Sequence, residues 1–427
     1  FGARRHRLDS NKGAPVATSI LPVIVTGETS AYALARLMHE VTGERVICVA
    51  PEPIEAISRS SFIDVHHVPL HQSDDELVDT LLAIADEHPG RKLVIMANHD
   101  NFARFAAANE ERLGDRFVHP FPSLEVWETV QDKARFSQVC REQGIPTPPE
   151  VVVDLADPAE GEWTAPPVDL RFPVVAKALD YLDYAATDYP GRSKVFFLDT
   201  QEELDAIWPP MREAGFTGRF LVQEMIPGDD TCGVSLTCYV DSHGDVTLRS
   251  GAQVLVEDHD PKLIGNPIAM RIQDYPEYHA EAERFFKAVG YTGFANFDVK
   301  VDPRDGRHYF FEVNPRMGRN CYYVKVGGVN PMEPMLADLV HGERVTPVEA
   351  HEPGVYSLIP RALILRYLRR PSLAGEVRRI TRRRGVQDPL VNPEEKDLRR
   401  ALVVRLQRLN YLRKLGRFYP RPEGLYL

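Results

Sequence analysis

The stretch FFEVNPRMG, Phe310 to Gly318, decides the fold of this chain: an apolar run with strand character carries Glu312, Asn314 and Arg316 at alternate positions. Side chains alternate between the two faces of a strand, so one face of this segment belongs to a core and the other is polar. Upstream, FANFDVKVD at 294–302 repeats the alternation, and PRDGR at 303–307 supplies turn chemistry through Asp305 and Gly306. The odd positions Ala295, Phe297, Val299, Val301, Tyr309, Phe311 and Val313 are expected in the core. Asn296, Asp298, Lys300, Glu312 and Asn314 are expected to form a polar floor. A loop centred on Asp305 sets Asp298 opposite Glu312, with Cβ atoms about 4.5–5.5 Å apart. Two facing carboxylates repel unless a cation lies between them. With the neutral oxygen of Asn314 they make a hard oxygen set suited to Mg²⁺ carrying substrate phosphates. An exposed hairpin with solvated charges is the alternative on these residues alone.

Working outward, 427 residues suggest two or three domains of a soluble globular protein. The five cysteines are odd in number and widely spaced, which points to reduced core thiols and a cytoplasmic compartment. No apolar run reaches the length of a membrane-spanning helix. The opening FGARRHRLDSNKGAP has no apolar signal-peptide core and reads as a flexible basic arm. The net charge of −11 is uneven: residues 361–427 hold 18 Lys+Arg against 6 Asp+Glu, or +12, leaving 33 − 56 = −23 for residues 1–360. The two regions therefore meet different partners, or each other.

From Pro22 to Val118, short apolar runs alternate with helical periods, the pattern of a parallel sheet wound by helices. The turn TGETSAY lacks G-x-G-x-x-G, which disfavours a nicotinamide cofactor. His99 and Asp100 fall where a strand meets a helix and are candidates for substrate contact. The helix containing DKARFSQVCREQG ends at Gly144 and leads through prolines into a small α+β unit holding FPVVAKAL, KVFFLD and GRFLVQEMI. From about Pro353 the chain is arginine-rich with apolar residues between. Leu398, Val403, Leu406 and Leu409 mark the apolar face of a basic amphipathic helix.

The motifs DK…F…GIPTP, PVVAKAL, LVQEMIPGDD, FDVKVD and FFEVNPRMG occur in the order of the ATP-grasp carboxylate-amine ligases. The chain resembles that family over about residues 20–345. Within it the chain is most similar to the peptidoglycan D-aspartate ligases, through VTGETSAYALARLMHEVTGERVICVA and the form VQEMIPGDD. The resemblance implies an α/β and α+β architecture: a wound parallel-sheet N-terminal domain, a two-lobed ATP-grasp fold and a basic C-terminal helical extension. The expected divisions are a flexible arm at 1–20, the N-terminal domain at 21–125, a small lobe with lid at 126–225, a large lobe at 226–350 and the extension at 351–427.

The resemblance also implies roles. Lys133 and Lys177 contact ATP phosphates, with Arg192 and Lys194 on a mobile cover. Gln223, Glu224 and Ile226 lie on the segment that reads adenine, and Asp230 holds the ribose. Asp298, Glu312 and Asn314 bind Mg²⁺, with Mn²⁺ as an alternative. Arg316 faces the transferred phosphoryl group or the developing oxyanion, with Lys177 and Arg271 as further catalytic candidates. The implied reaction runs through an acylphosphate to an amide. It joins a small amino acid such as D-aspartate, or another carboxylate, to an amine acceptor on a cell-wall precursor peptide. The basic extension is expected to attract that anionic precursor or to touch the inner membrane face, or else to dock on the acidic body. A carboxylase, an ATP-grasp ligase of another metabolite and a non-catalytic ATP-binding scaffold are the rival readings. No RNA-module aromatic signature favours nucleic acid.

Overall fold

The computed structural model describes residues 19–156, 162–179, 181–260, 263 and 265–419. The expected arm lies outside them except for its last two residues. Five parallel strands open the chain: β1 (Ile20–Val25), β2 (Val46–Ala50), β3 (Ile63–His67), β4 (Lys92–Met96) and β5 (Phe117–Val118), in the order β3-β2-β1-β4-β5. Every residue of β1 is buried, because helices cover both faces of such a sheet. Tyr32, Leu34 and Leu37 of helix Thr29–Thr42 pack on one side, and Leu77, Leu81 and Ile84 of helix Asp74–Glu87 on the other. The second helix starts at a reciprocal cap between Ser73 and Glu76.

A four-stranded antiparallel sheet follows, built from β6 (Glu150–Asp154), β7 (Val174–Ala178), β8 (Phe196–Leu198) and β9 (Arg219–Glu224) in the order β6-β9-β7-β8. Its core gathers Trp208, Tyr184, Phe216 and Phe220. The larger sheet contains β10 (Gly233–Val240), β11 (Val246–Asp258), β12 (Asn266–Ile272), β13 (Gly293–Val301) and β14 (His308–Asn314). β15 (Val348–Ala350) pairs with β11, and the sheet continues past residue 350 in β16 (Val355–Ser357), which pairs with β12. Strands β6 and β12 were not foreseen in the sequence.

The hairpin β13–β14 keeps the expected register away from the turn, from Asn296 opposite Asn314 to Asp298 opposite Glu312, but not next to the turn. A bulge between Asp298 and Val299 shifts the pairing, so Val299 faces Phe310 rather than Phe311. Phe310 is therefore the core residue, at 1% exposure. Phe311 turns to the cavity that Glu312 also lines. An extra residue in one strand reverses which side chains face inward beyond it. All five cysteines are buried and unpaired.

The basic C-terminal extension holds helices Arg361–Tyr367, Pro371–Arg384 and Leu398–Phe418. In the last of these the buried residues are Arg400, Val404 and Leu415. The expected apolar face is instead turned outward, with Leu398, Leu406 and Leu409 exposed. Charge decides this orientation. Arg400 meets Glu395 at 3.4 Å, Arg408 meets Asp388 at 3.4 Å and Lys414 meets Asp258 at 2.6 Å. Docking on the acidic body thus accounts for one face of the helix. Among the described residues no helix is long and apolar enough to cross a membrane.

Candidate active site

The C-terminal half of β14 packs beside β13 so that Asp298 faces Glu312 and Asn296 faces Asn314. Asn314 Nδ2 donates to Asp298 Oδ2 at 3.1 Å, and Asn314 Oδ1 accepts from Arg316 Nη2 at 3.0 Å. Arg316 also pairs with Asp100 of the N-terminal domain at 3.0 Å. Burial and the charge of Glu312 push the Asp298 carboxyl well up, against the pull of Arg316 and Asn314. A hard cation between the two carboxylates removes this repulsion, so the donor set fits Mg²⁺. Among the described residues there is no group of three or more His, Cys, Asp or Glu able to hold a metal. Mg²⁺ held by one or two carboxylates together with substrate phosphates does not need one.

Two cavities meet at these carboxylates. One, of about 570 Å³, is lined by Lys177, Ile226, Asp230, Glu257, Lys300 and Glu312 among others. The other, of about 400 Å³, contains Asp100, Asn296, Asn314, Arg316 and Arg319. A third, of about 790 Å³, brings Lys133, Lys177 and Lys194 together. Lys133 opens helix Lys133–Glu142, whose cap is Asp132. Lys177 projects from β7, where burial and the neighbouring Lys133 push its ammonium down to about 8. Like charges gathered in one cleft are costly alone and favourable around a polyanion.

Other candidates fare differently. Gln223 is buried and donates to Glu150 Oε2 at 2.9 Å, while Glu224 Oε1 accepts from the Arg171 backbone at 2.8 Å. Neither side chain lines the cavities, but Met225, Ile226, Pro227 and Gly228 do. Gly228 has φ +115, and a Cβ there would come within 2.5 Å of Cys232 Sγ. The Asp230 carboxylate accepts from the Glu257 backbone at 2.9 Å and lies 2.9 Å from His259 Nε2, so it is already engaged. Glu257, which the sequence reading missed, puts its carboxyl in the same cavity, where burial and Asp230 push it up. The acidic run EDHD at 257–260, closing β11, was the available signal.

Arg271 is not brought to the site. It pairs with Glu376 and donates to Gln253 Oε1 at 2.9 Å. Arg192 is exposed and donates to the Thr187 carbonyl at 3.2 Å. It lies outside the lysine cavity that Lys194 enters. At the ends of β1, β2 and β4 a further cavity of about 570 Å³ contains Thr26, Glu28, Glu52, Asp74 and His99. This is where the strand order reverses, a usual ligand position. His99 Nε2 lies 3.3 Å from Glu28, and Arg319 lies 3.9 Å from the same carboxylate.

Residues 200–329 match the family model described as the carbamoyl-phosphate synthase L chain, ATP binding domain. The chain is 26% identical over 413 residues to the D-aspartate ligase of Enterococcus faecium, covering 95% of this chain and 98% of that one. It is 28% identical over 197 residues to the D-alanine–D-alanine ligase of Pseudomonas entomophila, covering 44% and 55%. Among solved structures, the L-amino acid ligase from Bacillus licheniformis aligns with TM-score 0.52 and 16% identity, covering 79% of this chain and 78% of that one. The biotin carboxylase domain of the Hydrogenobacter thermophilus 2-oxoglutarate carboxylase, solved with MgADP, ADP and bicarbonate, aligns with TM-score 0.53 and 18% identity, covering 78% and 73%. These structural likenesses speak for the fold.

Proposed function

We propose that this chain, an ATP-dependent carboxylate-amine ligase with the ATP-grasp fold, joins a small amino acid to the side-chain amine of a peptidoglycan precursor peptide. D-aspartate is the first candidate donor, on the full-length similarity to the D-aspartate ligase. The observation that carries the reading is a pair of cavities that share Lys177, one gathering it with Lys133 and Lys194, the other setting it with the facing carboxylates Asp298 and Glu312. Only a ligand with both a polyanion and a cation complements both cavities.

In this reading Lys133, Lys177 and Lys194 hold the phosphates of ATP, while the backbone around Ile226 faces adenine and Asp230 and Glu257 lie toward the ribose. Asp298, Glu312 and Asn314 would hold Mg²⁺ (or Mn²⁺), which when bound neutralises charge on the transferred phosphoryl oxygens. Arg316, fixed by Asp100 and Asn314, orients the donor carboxylate. A carboxylate oxygen attacks the γ-phosphorus in line, ADP leaves, and an acylphosphate forms. The acceptor amine then attacks the acyl carbon, phosphate leaves and the amine proton is lost. Catalysis is positioning and electrostatics rather than covalent help from the protein. Glu28 and His99 in the N-terminal cavity, with Arg319 3.9 Å from Glu28, offer charges of both signs to an amino acid. The reading sets the protein in the cytoplasm, with its basic extension near an anionic precursor or membrane.

The test is ADP and phosphate release by the purified protein over a panel of D- and L-amino acids and precursor peptides. Release is expected only with Mg²⁺, a carboxylate and an amine together. Strong ADP release with bicarbonate and no amine would replace this reading with a carboxylase.

A further inference from the structure

Helix Leu398–Phe418 has two unlike faces. The inner one is fastened by Arg400, Arg408 and Lys414 to carboxylates of the body. The outer one carries Leu398, Leu402, Leu406, Leu409 and Leu412 at 85%, 57%, 54%, 54% and 48% exposure. At 100° per residue these leucines fall within an arc of roughly 120°, a continuous stripe on a helix about 31 Å long. Large exposed leucines in one row are unusual on a soluble surface and mark an interaction site.

Charge narrows the partner. Arg405 and Arg413 fall among the leucines on the helical wheel, and Arg399 and Arg417 run along one border, all exposed. The helix contains no Asp or Glu. Arg405 and Arg413 make no ion pair among the described residues. A second copy docked through this stripe would press arginine on arginine with no acid to offset it. A nucleic acid would satisfy the arginines but offers no apolar phase for the leucines. A bilayer with anionic headgroups satisfies both, since leucines enter the acyl boundary while arginines reach back to the phosphates.

We propose that the outer face of helix Leu398–Phe418 binds in the plane of an anionic lipid surface, with Leu402, Leu406 and Leu409 as its buried contacts. This deepens the proposed function, naming the surface at which a ligase of precursor peptides would work. The inner ion pairs hold the stripe outward, so the helix does not have to refold to bind. The rest of the chain, acidic overall, is repelled from such a surface, which orients the molecule.

The experiment is co-sedimentation of the full chain with vesicles of phosphatidylcholine alone and of phosphatidylcholine with about one third phosphatidylglycerol. Binding should favour the anionic vesicles by tenfold or more and weaken at high salt. The triple variant L402S/L406S/L409S should lose at least tenfold in vesicle binding, and R405S/R413S should lose the preference for anionic lipid. All these side chains point outward, so both variants should keep the parent melting temperature and its ADP release on soluble substrates. Leucine-variant binding equal to the parent, or no binding by the parent, overturns the proposal. So does a concentration-dependent dimer, seen by light scattering, that the leucine variant abolishes. Vesicle binding needs no turnover and ADP release needs no vesicle, so this inference and the ligase reading fail separately.

Discussion

Replacing Glu312 with Gln keeps the shape of the hairpin and removes one of two facing charges. At a separation of about 5 Å and an effective dielectric near 20, two like charges cost about 3 kcal/mol. Glu312 is exposed on its solvent side, so screening leaves about 1–2 kcal/mol. Glu312→Gln should therefore raise the melting temperature of the metal-free protein by about 2–4 °C. The gain depends on pH with a definite sign. The Asp298 carboxyl is held above its ordinary range, so the folded state binds a proton that the unfolded chain has released. Wild-type stability therefore falls as pH rises from the ordinary carboxylate range through the raised value of Asp298. The variant should lose less over that window, and its advantage should vanish below it, where Asp298 is protonated in both states. Turnover should move the other way, dropping by about 10² or more, since in the proposed function both carboxylates are needed to order the metal and phosphates. Thermal melts at several pH values, with and without Mg²⁺, and ADP formation on the same preparations check this. Mg²⁺ should stabilise the wild type and much less the variant. A variant with near-normal turnover, or one that loses turnover only because it unfolds, would refute the reasoning.

Burial and the neighbouring Lys133 push the Lys177 ammonium down to about 8; if it meets the nucleotide phosphates, they restore its charge and binding above that pH should take up a proton. Affinity should fall up to tenfold per unit between about pH 8 and 10, and Lys177→Arg should flatten the profile because guanidinium stays charged. Equilibrium nucleotide titration measures it, and a flat wild-type profile would remove Lys177 from the phosphate site. Arg400 is 2% exposed and holds the Ala56 carbonyl, the Leu390 carbonyl and Glu395. Arg400→Ala should cost roughly 3–5 kcal/mol by leaving Glu395 buried without its cation, read by denaturant melts. A loss below about 1 kcal/mol would mean the extension is not fastened there.

What the sequence determined by itself was local. The period-2 alternation of FANFDVKVD and FFEVN required one polar face on each strand, because that depends only on neighbours along the chain; the pairing of Asp298 with Glu312 was expected from the turn, but it is the bulge beside Asp298 that brings it about. The same local reading holds for the parallel N-terminal sheet, whose apolar runs alternate with helical periods, and for Lys177, which the apolar FPVVAKAL places on a strand with its charge to satisfy. What tertiary structure decided came from partners far away in sequence. A bulge against β13 put Phe310 in the core instead of Phe311. Glu376, 105 residues on, took Arg271 away from the site, and the Glu257 backbone with His259 engaged Asp230. Strands β6 and β12 took form through long-range pairing that no local pattern announces. The last helix states the division most plainly. Its spacing allowed an apolar stripe and a mixed basic face, and hydrophobicity alone would have buried the leucines. The carboxylates of Glu395, Asp388 and Asp258 drew the arginine and lysine face inward instead, because a charge that finds its partner in a half-buried interface outweighs the burial of leucines that can stay at the surface.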